Sequence, residues 1–124
     1  MTLDTGALIA MERRKHRALL MLDAAARGEA LLTVPVPIVT EWWRGSTALR
    51  DRILASVEVA PLPPSVARAA GEAIAAVRGA TAMDAIVMAY AATRGGLAVT
   101  GDLGDLERLR AFFPSVRVLG LDAT

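Results

Sequence analysis

Thr2-Leu3-Asp4-Thr5-Gly6-Ala7-Leu8-Ile9 lies at one end of the chain, and Leu97-Ala98-Val99-Thr100-Gly101-Asp102-Leu103 lies toward the other. In both, an apolar run too short for a helix meets an aspartate, and apolar residues at helical spacing follow. Runs of this length, bounded by turn residues, read as strands buried on both faces. Outward from the first, Ala7 to Arg14 predicts a short helix, and Ala18 to Arg27 a better one ended by Gly28. Leu31 to Val34 reads as a second strand stopped by Pro35 and Pro37, and Val57-Glu58-Val59 as a third, broken by Pro61, Pro63 and Pro64. Between them, Ile38 to Arg44 and Ala48 to Ser56 carry helical patterns, with Gly45 as the stop of the first.

After the prolines, Ser65 has the form of an N-cap for a helix to about Arg78. Thr81 starts another, with Met83, Ile86, Val87 and Tyr90 on one face and Gly95-Gly96 as its end. The Leu97–Thr100 strand follows, then a helix marked by Leu103, Leu106, Leu109 and Phe113, then a last strand over Val116 to Leu119. Short apolar strands alternating with helices predict an α/β fold of three layers, α/β/α, with a central parallel sheet of about five short strands. Residues 1–124 are expected to form one domain, since the length suffices for a core and no repeat or low-complexity segment divides it.

Composition narrows the chemistry. The chain is 54% hydrophobic but only 4% aromatic, so aliphatic side chains and alanine must fill the interior. Its mean hydropathy is +0.42, yet no apolar run approaches the ~20 residues needed to cross a bilayer. With no charged and apolar leader read at the N-terminus, a cytoplasmic protein is the expectation. The absence of cysteine removes disulfides, thiolate metal sites and cysteine nucleophiles. A single histidine, His16, leaves little material for histidine-based catalysis or ligation. The net charge of +1 announces no nucleic-acid binder, although Arg13, Arg14, Lys15 and Arg17 form one basic group and Arg44, Arg50 and Arg52 another.

The acids are more informative. Ligands of open parallel sheets bind beyond the carboxyl ends of the strands. Asp4 closes the first strand there, and Asp102 directly follows the fourth, with Asp105 one turn on. Glu41 is expected in the first turns of the helix after strand two, and Asp84 in the first turn of the long apolar helix. Thr81-x-x-Asp84 also has the form of a capping box, and Asp102 that of an N-cap, so each acid has a structural reading. Asp4 resists one, because Leu3 and Ala7-Leu8-Ile9 should bury it. Converging carboxylates without adjacent Lys or Arg repel one another and suffer desolvation. Mg²⁺ or Mn²⁺, with its preference for oxygen ligands, relieves both. Such a cluster suits phosphodiester hydrolysis, where the cation activates water and stabilises the leaving oxygen. Thr5 and Thr100 are placed to hydrogen-bond an acid or its water.

At these residues the chain resembles the PIN domains, and more narrowly the VapC-type toxins of type II toxin–antitoxin systems. Leu3-Asp4-Thr5-Gly6-Ala7-Leu8 is similar to the family's first-strand motif, whose Asp is a metal ligand. Val39-Thr40-Glu41-Trp42-Trp43-Arg44-Gly45 resembles the second block, Met83-Asp84-Ala85 with Ala89 and Ala92 the third, and Thr100-Gly101-Asp102-Leu103-Gly104-Asp105-Leu106 the fourth. The resemblance implies a homodimeric endoribonuclease that uses Mg²⁺ or Mn²⁺ on RNA and is neutralised by a cognate antitoxin. It implies catalytic roles for Asp4, Glu41, Asp84 and Asp102, with Asp4, Asp84, Asp102 and Asp105 as metal ligands. Gly101 and Leu103 depart from the residues, near Ser and Pro, that the pattern leads one to expect. Trp42-Trp43 is bulkier than usual beside the second acid, and reads as core, an antitoxin groove shared with Leu8-Ile9, or a base-stacking surface.

Other classes fit less well. A receiver-type phosphoacceptor domain would carry paired acids after the first strand, an acceptor Asp after the third and a Lys after the last. This chain has a lone Asp4, a proline run after Val59, and Gly120-Leu121-Asp122. A Rossmann binder lacks its G-x-G-x-x-G, and a haloacid-dehalogenase-like phosphatase would need an acid at Gly6. A PIN-like RNA- or protein-binding module without catalysis is the remaining alternative.

Overall fold

Parallel pairing joins every neighbouring pair of strands in the computed structural model, which describes residues 1–121. Asp122 lies outside the described residues. The five strands, β1 (Thr2–Leu3), β2 (Thr33–Pro35), β3 (Glu58–Ala60), β4 (Leu97–Thr100) and β5 (Arg117–Gly120), lie in the order β3-β2-β1-β4-β5. The seven described helices are α1 (Thr5–Glu12), α2 (His16–Ala26), α3 (Val36–Trp42), α4 (Ala48–Ala55), α5 (Pro64–Ala76), α6 (Ala82–Thr93) and α7 (Leu103–Glu107). α1 packs against α2, α3 and α4, whereas α6 packs against α5 and α7. Right-handed crossovers, running one way from β1 through β3 and the other way from β4 to β5, put these two groups on opposite faces. The expected α/β/α layering is therefore present.

Burial explains the patterning. Leu3, Val34, Ala98 and Val99 are fully inaccessible, as befits central strands covered twice. β3 departs from the wholly apolar expectation: Glu58 and Val59 are exposed because β3 is an edge. α6 is apolar on nearly all sides, with Ala85 and every residue from Val87 to Ala91 buried, so it is the core helix of its layer.

Most element boundaries shift by one or two residues from the sequence reading, β2 for example to Thr33–Pro35 from Leu31–Val34, and three differences at helices have a clear physical cause. Pro35 and Pro37 stand at the N-cap and in the first turn of α3, and Pro63 and Pro64 at the cap and first position of α5. Proline is well placed there, since those N–H groups would lack helical partners anyway. α3 thus begins two residues before Ile38 and ends at Trp42, ahead of Gly45; α5 is capped by Pro63 and not by Ser65. The third difference is α7, which is five residues long rather than reaching Phe113. Leu109, Arg110 and Phe112 donate to the carbonyls three residues back, winding the chain into tight turns that still bury Leu109 and Phe113.

Candidate functional site

The strand order reverses direction between β1 and β4, the position at which an open parallel sheet leaves a crevice. Leu3 pairs with Val99, and the Asp4 N–H donates to the Val99 carbonyl at 3.0 Å, which sets Asp4 beside Thr100 at the carboxyl edge. A cavity of about 150 Å³ lies there, lined by Asp4, Thr5, Gly6, Ile38, Glu41, Met83, Asp84, Thr100, Asp102 and Asp105. All five acids singled out from sequence, with both threonines, border one crevice. No lysine or arginine lines it.

Each acid is held by its own element. Asp4 caps α1, its Oδ1 accepting the Ala7 N–H at 2.7 Å. Asp102 caps α7 by accepting the Gly104 N–H at 3.0 Å, and Asp105 follows in the first turn. Asp84 is in the first turn of α6, its N–H donating to the Thr81 cap at 3.2 Å. Glu41 reaches the crevice differently from expected. Because α3 starts early, Glu41 sits in its last turn and not its first, and the Thr5 hydroxyl donates to its Oε1 at 2.5 Å. Thr100 accepts the Asp102 N–H at 3.1 Å, and its hydroxyl donates to the Asp102 carbonyl at 2.9 Å, tying β4 to the loop that carries the acid.

The electrostatics are those of a strained anionic pocket. Asp4 is 7% exposed, and burial pushes its carboxyl up from 3.8 to about 6. The Thr100 hydroxyl and the N–H groups of Ala7 and Gly101 pull the other way, while the Asp84 charge adds to the rise. Asp84 is also raised, chiefly by burial and then by the charges of Asp105 and Glu41, against the Thr81 hydrogen bond and the Arg108 guanidinium. Arg108 is a neighbour that sequence adjacency did not foretell, 24 positions from Asp84 and brought near by α7.

Two glycines make the close approach possible. A Cβ on Gly101 would lie 2.5 Å from the Gly6 carbonyl oxygen, and one on Gly6 would lie 3.0 Å from the Gly101 nitrogen. The loops after β1 and β4 therefore touch backbone to backbone, which draws Asp4 and Asp102 to one crevice. Glycine at 101 has this steric reason. The paired Thr-Gly steps at 5–6 and 100–101 were the available sequence signal.

The tryptophans divide. Trp42 is 3% exposed and donates to Glu12 at 2.5 Å, with Trp43 edge-on at 5.9 Å. Trp42 and Leu8 are core, and so cannot form the surface groove considered for them; Trp43 and Ile9 are half-buried. A larger cavity of about 410 Å³ lies at the amino ends of β2 and β3 and holds only Glu29 and Glu58 as ionisable groups. No family model matches the chain, and no curated protein matches it.

In kind, the crevice donors fit a hard divalent cation: five carboxylates and two hydroxyls, all oxygen. Among the described residues no three acids are mutually placed to ligate one ion as they stand. Asp4 and Asp102 each turn one oxygen to a backbone N–H as helix caps.

Proposed function

We propose that the chain is a metal-dependent endoribonuclease that hydrolyses RNA phosphodiester bonds, acting as the toxin of a toxin–antitoxin pair. One observation carries the nuclease reading: five carboxylates converge at the β1–β4 switch, one of them buried, with no cation in the lining. Asp4, Asp84 and Asp102, with Asp105, would hold Mg²⁺ or Mn²⁺. The ion supplies water activation and charge neutralisation at the attacked phosphate. Glu41, exposed at the end of α3 and bonded by Thr5, would accept a proton from the attacking water. Asp4, whose affinity for protons is already raised, has the most to gain from a cation beside it. The toxin role, the antitoxin and the homodimer rest on the family resemblance.

Purified protein should cleave single-stranded RNA with Mg²⁺ or Mn²⁺ and stop with chelator. Asp4→Asn and Asp84→Asn should each abolish cleavage while the fold persists. Chelator-resistant cleavage by homogeneous protein would sink the metal mechanism. A second reading is a binding module that does not cleave, favoured by the capping bonds that occupy Asp4 and Asp102. It predicts RNA binding that neither metal nor Asp4→Asn changes.

A further inference from the structure

The crevice is too small for the substrate that the nuclease reading gives it. About 150 Å³ equals the liquid volume of roughly five waters and lies below the range of roughly 300–1,000 Å³ usual for organic ligands. It admits a phosphate group and its water, so the rest of a nucleotide chain must lie outside. Two larger clefts adjoin it. One, of about 340 Å³, shares Gly6 and Asp102 with the crevice and is lined by Arg13 and Lys15. The other, of about 390 Å³, shares Glu41 and is lined by Arg13, Arg44 and Arg50. Arg13 borders both.

These cations are not used up by the fold. Arg50 is paired with Glu12 at 3.0 Å, and Arg44 donates to its neighbour's carbonyl, that of Trp43, at 2.7 Å, but Arg13, Lys15 and Arg44 make no ion pair among the described residues. Nor does helix stability explain them all. Arg13, at the end of α1, has the sign a helix C-terminus favours; Lys15, at the start of α2, has the wrong sign, and no side chain caps that helix. Between them Arg14 holds a left-handed backbone, φ 56°, a conformation that favours glycine. Asp4, Thr47, Thr81 and Asp102 cap four of the helices by side-chain bonds, and prolines stand at the caps of α3 and α5, so α2 alone among the described helices starts on a lysine. The elbow between α1 and α2 thus places a left-handed arginine, which ends α1, and an uncapped lysine side by side next to the crevice, choices that stability alone does not favour.

We infer that Arg13 and Lys15, with Arg44 in the cleft that Arg13 also borders, grip the phosphodiester backbone of single-stranded RNA on either side of the phosphate that the acids would bind through their divalent cation. This rests on the nuclease reading and specifies its substrate track. Arg13 borders both clefts, so one strand can run from the Lys15 side past Arg13 to the Arg44 side, with the crevice adjoining both clefts. Backbone charge is what these side chains recognise, so the grip is indifferent to sequence.

The test uses the full chain with Asp4→Asn, so that RNA is bound and not cut. Affinity for a fluorescent single-stranded RNA is measured by anisotropy across salt concentrations, for that protein and for versions adding Arg13→Gln with Lys15→Gln, or Arg68→Gln with Arg78→Gln as a charge-matched control away from both clefts. Removing two contacts should lower the salt slope by about 1.4 and weaken binding roughly 25-fold at 0.1 M salt, equally for unrelated sequences, with the control near the parent. Equal effects of the two double substitutions would overturn the inference. So would loss of poly-glutamate binding with RNA binding retained, which would assign the cations to an acidic protein partner. Cleavage by the Asp4 protein is scored separately: if it cuts RNA and Arg13→Gln with Lys15→Gln changes neither KM nor affinity, the track fails while the nuclease stands. If the protein neither binds nor cuts RNA, both fail together.

Discussion

Replacing Asp4 by asparagine removes a buried charge while keeping the oxygen that caps α1, and the stability change has a calculable pH dependence. The carboxyl has a folded-state pKa of about 6 against an ordinary 3.8. Folding therefore favours the protonated form, and the group's stability advantage is full below pH 3.8 and lost as pH rises through 6. The difference of about 2.2 units corresponds to about 3 kcal/mol at the plateau and about 0.5 kcal/mol at pH 4. In metal-free protein, Asp4→Asn should thus be near parent stability at pH 4 and more stable by up to about 3 kcal/mol above pH 7. Unfolding in urea with chelator present, from pH 4 to 8, measures it. Asp84 shifts in the same direction, so the parent itself should weaken over this range. A variant less stable than the parent at every pH, or a gap that does not grow with pH, would refute desolvation as the dominant effect. It would show instead that the Ala7 bond holds an ionised cap.

Mn²⁺ at a hundredfold excess over its Kd should stabilise the parent by about 2.7 kcal/mol, read as a higher Tm, with no rise in Asp4→Asn. Gly101→Ala drives a methyl to 2.5 Å from the Gly6 carbonyl and should cost about 1–3 kcal/mol in urea unfolding, with cleavage falling further than the stability loss explains. Arg14→Gly relieves a left-handed arginine worth about 1–2 kcal/mol of strain against about 0.5–1 kcal/mol of added chain entropy, so unfolding should show a neutral or slightly more stable protein. Arg50→Ala leaves Glu12 and its Trp42 bond without a cation in a site about three-quarters buried, and a loss of about 1–3 kcal/mol by thermal melting is expected.

What the sequence revealed followed from local physics. β4 was legible to the residue, because Leu97–Thr100 is apolar between two glycine-bounded turns. The convergence of Asp4 and Asp102 was legible because each follows a strand of one parallel sheet. Glu41 was misplaced within its helix because prolines punctuate both strand ends and helix starts, and only tertiary pairing decides which. The contact of Gly6 with Gly101 and the approach of Arg108 to Asp84 join positions far apart in the chain, so nothing local encodes them. The burial of Trp42 was likewise undecidable from a pair of adjacent aromatics, of which one turned inward.

The order β3-β2-β1-β4-β5 also has a consequence in time. β1 precedes every other strand in synthesis, yet one of its two neighbours, β4, comes 94 residues later, from Leu3 to Leu97. Asp84, Asp102 and Asp105 all lie in that late portion. At ribosomal speeds of about 5–20 residues per second, about 5–20 seconds separate the making of Asp4 from that of Asp102. Throughout that interval the growing polypeptide carries Asp4 and Glu41 but no crevice. If the crevice cuts RNA, the nascent chain is harmless to the message and ribosome producing it, and acquires its edge only when the far half has emerged and closed against the near one.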